Sequence, residues 1–115
     1  MEFNNDFRHD LTIGQGAENF LGKLLEGKKL EVKMDRIAHK TGRVFVEYES
    51  RGKLSGISTT EADYWCYIIE GRGAIIVSTE RMKEVTRAVL KERGNIKGGD
   101  SNTSLGALVE IGRML

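Results

Sequence analysis

Leu30-Glu31-Val32-Lys33-Met34-Asp35 alternates apolar and charged residues without a break. Successive side chains of a strand point to opposite faces. Read as a strand, the stretch turns Leu30, Val32 and Met34 to one face, expected to be a buried floor. Glu31, Lys33 and Asp35 go to the other, as a ridge of two carboxylates and an amine. Carboxylates so spaced can hold a hard divalent cation, and a neighbouring lysine can handle a nucleophilic water.

Val44-Phe45-Val46-Glu47-Tyr48-Glu49 alternates in the same way, and Thr41-Gly42 before it is a turn signal. The two stretches are therefore expected to form a hairpin. If their apolar faces share a side, register places Glu47 opposite or diagonal to Lys33 and Glu49 near Glu31. The hairpin then gathers Glu31, Lys33, Asp35, Glu47 and Glu49 on one surface, with Phe45 among them.

Upstream, Thr12-Ile13-Gly14-Gln15 has the form of a capping box. It opens a helix expected from about Ile13 to Glu26, with Ala17, Phe20, Leu21, Leu24 and Leu25 in its apolar stripe. Gly27 suits its C-cap, and Glu18 lies at the edge of the stripe. Downstream, Arg51 to Ser58 reads as a loop and Thr59 to Asp63 as a helical turn. Tyr64 to Ile69 and Ala74 to Val77 read as strands joined by a turn at Glu70 to Gly73. Ser78-Thr79-Glu80 opens a second helix that buries Met82, Val85, Val89 and Leu90 and ends at Gly94. Asn95 to Ser104 reads as a loop, and Leu105 to Leu115 as a last short strand.

The chain has 115 residues and a net charge of +1, which suits a single domain over 1–115 with one core. No apolar run reaches the roughly 20 residues that span a bilayer. The first residues lack the basic and apolar regions of a secretion signal, and Cys66 is the only cysteine. Both features fit a reducing cytoplasm. Lys28, Lys29, Arg36, Lys40, Arg43, Arg51 and Lys53 surround the acidic centre. Bases around acids suit a phosphate-rich ligand, although a solvated surface of mixed charge gives the same pattern. Ser55 could contact a phosphate or simply cap a turn. His9 and His39 have no metal-ligand spacing with a cysteine, and Asp10 reads as a lead-in acid.

The order of elements, with Glu31-Val32-Lys33 on a strand after a helix bearing Glu18, resembles the PD-(D/E)XK nuclease superfamily, in particular its Holliday-junction-resolvase-like core. Val46-Glu47-Tyr48-Glu49, Gly52-Lys53-Leu54-Ser55-Gly56-Ile57 and Thr59-Thr60-Glu61-Ala62-Asp63-Tyr64-Trp65 are similar to small phage and prophage proteins assigned to that superfamily. The resemblance spans roughly residues 10–69, with Gly98-Gly99-Asp100 as a further element. It implies an α/β fold with a restriction-endonuclease-like core, a mixed β-sheet flanked by helices.

The family's first acid sits on a strand before E-x-K, and Leu25 to Lys29 leaves no room for that strand. Either Glu31 and Lys33 are the E-x-K pair, with Glu18 or Asp10 as the other ligand, or Glu31 and Glu47 are the two acids and the lysine has migrated to Lys33. The second arrangement brings all three side chains together and is preferred. The resemblance then implies Glu31, Lys33 and Glu47 as catalytic residues. Glu31, Glu47 and a helping Glu18 would hold Mg²⁺ or Mn²⁺, and Arg36, Lys40, Arg43, Arg51, Lys53 and Ser55 would contact DNA.

The expected activity is metal-dependent DNA endonuclease cleavage, structure-selective or of low specificity, by a phage or prophage protein acting in the host cytoplasm. A homodimer would help it address two strands. The alternatives are an inactive DNA-binding module of the same fold and a small interaction protein.

Overall fold

The computed structural model of the chain describes residues 15–115. The expected cap at Thr12, and Ile13, Asp10 and His9, lie outside them. Residues 15–25 are helical and form α1, which closes on Gly27 in the left-handed region (φ 68°). The later elements are β1 (Leu30–Asp35), α2 (Ala38–Thr41), β2 (Arg43–Ser50), β3 (Lys53–Leu54), β4 (Tyr64–Ile69) and β5 (Gly73–Ser78). They continue with α3 (Thr79–Arg93), β6 (Ile96–Gly98), β7 (Ser104–Glu110) and α4 (Ile111–Met114). Short 3₁₀ turns at Gly56–Ser58 and Asp100–Asn102 replace parts of the expected loops. Residues 59–63 do not make the expected helical turn.

The architecture is mixed α/β, with two sheets rather than the single expected one. One is three-stranded in the order β1-β4-β5, and the other four-stranded in the order β3-β2-β7-β6. β1 runs parallel to β4, from Leu30 beside Tyr64 to Asp35 beside Ile69. β4 and β5 form the expected hairpin, and β2 is antiparallel to both β3 and β7. The expected β1–β2 hairpin is therefore not formed. Asp35 explains why: its Oδ1 accepts from the backbone N–H groups of Ile37 and Ala38, both at 3.0 Å. These bonds wind the connection into α2 and deliver the chain to the other sheet.

The second correction concerns which side of β1 faces inward. Leu30, Val32 and Met34, expected to be buried, are exposed, whereas Glu31, Lys33 and Asp35 are half-buried. The parallel register decides this. Glu31, Lys33 and Asp35 lie beside Trp65, Tyr67 and Ile69, whose side chains enter the core. The charged side of β1 thus continues the core face of its sheet.

The core joins that face to Val44, Val46, Ala107 and Val109 of the other sheet and to Met82, Val85 and Val89 of α3. α3 matches its sequence reading. The Ser78 hydroxyl accepts from the Arg81 N–H at 3.1 Å, and the Gly94 N–H donates to the Leu90 carbonyl at 2.8 Å. The strand expected over Leu105 to Leu115 starts at Ser104 and gives way to α4, which is tied to α3 through paired bonds from Arg113 to Glu92 (2.7 and 3.0 Å). Among the described residues no helix is long and apolar enough to cross a membrane.

Candidate functional site

Phe45 and Glu47 alternate along β2 with the buried Val44 and Val46, and so point away from them. Glu47 is held at both carboxylate oxygens. The Ser55 hydroxyl donates to Oε2 at 2.8 Å, and the buried Ser104 hydroxyl donates to Oε1. The two hydroxyl bonds hold the carboxylate from both sides.

Ser55 reaches Glu47 because the chain folds tightly against β2 at Gly56. A Cβ on Gly56 would lie 2.2 Å from the Glu47 carbonyl oxygen, and its φ is +54°. Only glycine fits both the space and the backbone. Ser104 reaches Glu47 because the β2–β7 register shifts between Glu47 and Glu49. Such a bulge re-aims side chains next to it. Gly99 packs on the same serine, since a Cβ there would lie 2.8 Å from Ser104 Oγ.

Lys33, Asp35, Glu47, Trp65 and Tyr67 line a cleft of about 330 Å³, together with Arg36, Phe45, Gly56 and Gly99. Lys33, Glu47 and Gly56 also line an adjoining, more open depression of about 450 Å³, with Glu31 and Lys29. Lys33 and Glu47 thus line the same clefts, from strands of two sheets rather than across a hairpin. Lys33 Nζ lies 3.3 Å from Glu31 Oε1 and 5.7 Å from the centre of the Trp65 ring. Salt bridge and ring together hold the ammonium near the cleft.

The Asp35 carboxylate spans the gap. While Oδ1 serves α2, Oδ2 accepts only a long bond, 3.4 Å, from the Phe45 N–H. Tyr67 bridges the sheets from below, its hydroxyl donating to the Phe45 carbonyl at 3.4 Å. Burial holds the Tyr67 phenol well above its ordinary pKa, and the negative charges of Asp35 and Glu31 raise it further.

The other expected site residues are spread more widely. Glu18 is exposed on α1 and lines neither cleft. Glu49 pairs with Leu54 and Leu105 and is also outside both. Among the expected DNA contacts, Arg36 lines the cleft and Ser55 holds Glu47, whereas Lys40, Arg43, Arg51 and Lys53 are exposed outside it.

Asp35, Ser104 and Tyr67 were not among the expected site residues. The alternation of β1 already placed Asp35 on the ridge with Glu31 and Lys33, so that signal was present. Asp63 was also missed. Its Oδ2 accepts from the Lys29 N–H at 2.8 Å and sets the start of β1 beside β4.

The acidic donors of the two clefts are all carboxylate oxygens, the ligand type of hard cations. No set of three His, Cys, Asp or Glu side chains among the described residues is close enough together to hold a metal. Mg²⁺ needs only one or two carboxylates, because water and substrate phosphate complete its shell. Asp35 and Glu47 are the two carboxylates that line the first cleft. The chain matches no family model, no curated protein and no solved structure.

Proposed function

We propose that this chain is a Mg²⁺- or Mn²⁺-dependent endonuclease that hydrolyses phosphodiester bonds in DNA, with Asp35, Glu47 and Lys33 at its centre. One observation supports this reading above the rest: two carboxylates and a lysine, from strands of different sheets, line the same cleft. Surface ion pairs need no such convergence.

Asp35 and Glu47 would hold the cation, which when bound supplies a Lewis acid for the phosphate and lowers the pKa of a water. Ser55 and Ser104 fix the orientation of the Glu47 carboxylate. Asp35 is fixed through Oδ1 by the backbone N–H groups at the start of α2, and its Oδ2 accepts the longer bond from the Phe45 N–H. Lys33 orients the attacking water and offsets negative charge developing on the phosphate. Glu31, paired with Lys33, sets the position of the ammonium. Arg36 beside the cleft, and Lys40, Arg43, Arg51 and Lys53 farther out, would hold the DNA backbone.

The same geometry supports a second reading, a module that binds DNA without cutting it. It is favoured by the prior commitment of both carboxylates, Glu47 to two serines and Asp35 to the backbone.

Incubation with supercoiled, linear and branched DNA, in Mg²⁺, Mn²⁺ or EDTA, separates the readings. Cleavage that needs the metal supports the nuclease. Salt-sensitive binding in EDTA with no cleavage in either metal supports the binding module. Neither cleavage nor binding overturns both.

A further inference from the structure

α3 carries Lys83, Thr86, Arg87 and Leu90 at i, i+3, i+4 and i+7, the spacing that puts side chains on one side of a helix. These four line a cavity of about 320 Å³ between α3 and the turn at Gly56–Ser58. Tyr48 of β2 and Ile57 of that turn line it as well. Ser58 ties the turn to β2, its hydroxyl donating to the Tyr48 carbonyl at 2.8 Å. The cavity shares no lining residue with the cleft or the depression around Glu47.

Its chemistry differs from theirs. The cleft and the depression mix acids with bases, whereas the charged residues here are Lys83 and Arg87 alone. Neither forms an ion pair among the described residues, and the neighbouring Glu84 is taken by Arg81 at 2.9 Å. Thr86 is 2% exposed, and its hydroxyl has no hydrogen-bond partner among the described residues. A threonine inside a helix can return that hydroxyl to the carbonyl one turn back, and this one does not. Buried polar atoms left without a partner are rare in folded proteins. The Tyr48 hydroxyl accepts from Asn95 Nδ2 at 2.8 Å, which leaves its own proton free to donate. The cavity thus offers two cations and two hydroxyl donors, and no carboxylate.

Such a set suits a ligand made of acceptor oxygens that bears more than one negative charge. A phosphate monoester carries close to two charges at about pH 8. A guanidinium can fork onto two of its oxygens while an ammonium acts as a point charge. Ile57, Leu90 and the Tyr48 ring add an apolar wall that a bare phosphate would leave uncovered. We propose that this cavity binds a small phosphate monoester carrying an apolar or aromatic ring. Lys83, Arg87 and Thr86 hold the phosphate, and the ring sits against Ile57 and Leu90. The Thr86 hydroxyl then gains the acceptor it lacks. The proposal does not depend on the nuclease reading.

Titration calorimetry of the full chain with phenyl phosphate, in EDTA at about pH 8, tests it beside inorganic phosphate and phenol. Phenyl phosphate is expected to bind roughly tenfold or more tighter than either. Lys83→Met and Arg87→Met are each expected to weaken it roughly tenfold or more. Arg87 is exposed, so its replacement leaves the fold intact. Lys91→Met, on α3 but outside the cavity, is expected to bind as wild type. Thr86→Val keeps the shape of the side chain and removes only an unpaired hydroxyl. It is expected to weaken binding several-fold without lowering the melting temperature. No binding of phenyl phosphate would overturn the proposal, as would binding no tighter than that of inorganic phosphate. So would affinity that withstands Arg87→Met or Thr86→Val, or an equal loss in Lys91→Met.

Discussion

Ser55 and Glu47, eight residues apart on either side of β3, are joined by a 2.8 Å hydrogen bond from hydroxyl to carboxylate. Ser104, from β7, takes the other oxygen of the same carboxylate. Glu47 is thus oriented by two distant parts of the chain, and each bond can be removed separately. Ser55→Ala is expected to cost about 1 kcal/mol of stability, and Ser104→Ala, at the buried position, about 1–3 kcal/mol. Both are expected to lower metal-dependent cleavage by freeing the Glu47 rotamer. Urea unfolding beside a cleavage assay reads both effects, and unchanged cleavage in both variants would remove the serines from the account.

Gly56 sets the approach of Ser55. Gly56→Ala places a Cβ 2.2 Å from the Glu47 carbonyl oxygen at a φ of +54°. The expected loss is about 3 kcal/mol or more. Gly71→Ala offers a comparison, because that glycine also has positive φ (72°) but no atom within 4 Å of a built Cβ. Its cost is expected near 1 kcal/mol. Equal denaturant midpoints for the two variants would contradict the close approach.

Tyr67 makes stability fall in alkali. Its folded pKa is raised by burial, Asp35 and Glu31, whereas the unfolded chain keeps a value of about 10. The resulting stability is fully present below about pH 10 and is lost as pH rises toward the folded value. Unfolding free energies from about pH 9 to about pH 11 are expected to fall in wild type and to fall less in Tyr67→Phe. Parallel curves would show that Tyr67 is not the responsible group.

Lys33 acts as a compact charge, so its replacement by the planar, forked guanidinium is not conservative. Lys33→Arg and Lys33→Met are both expected to lose roughly 100-fold or more in cleavage with little change in melting temperature. Glu31→Gln is expected to lose less, because Glu31 touches Lys33 and shares only the outer depression with Glu47. If Glu31→Gln were inactive and Asp35→Asn active, the acidic pair would be Glu31 and Glu47.

Where local signals decide structure, the sequence was legible. Ser78 and Gly94 bound α3, and the turn at Glu70 to Gly73 set the β4–β5 hairpin. The alternation in β1 and β2 was also legible, but their partners were not. β1 pairs in parallel with a strand that begins 34 residues on, so no turn between them announces the match. That choice turned the charged ridge inward. Lys33 and Glu47 still line one cleft, because each lies on the charged side of its own strand, and that parity survives a change of partner. Ser104 was illegible because a bulge in β2 aims it, and Asp63 because its bond closes a contact between distant segments.

The most direct test of the central claim is the Mg²⁺-dependent cleavage rate of supercoiled DNA for wild type, Asp35→Asn and Glu47→Gln, with Glu80→Gln on the exposed side of α3 as a control. The two site changes keep size and an acceptor oxygen while removing charge. The expected result is cleavage by wild type and Glu80→Gln, and a loss of roughly 100-fold or more in each of the other two. Wild-type rates in Asp35→Asn and Glu47→Gln, or no cleavage by wild type in any metal, would contradict it.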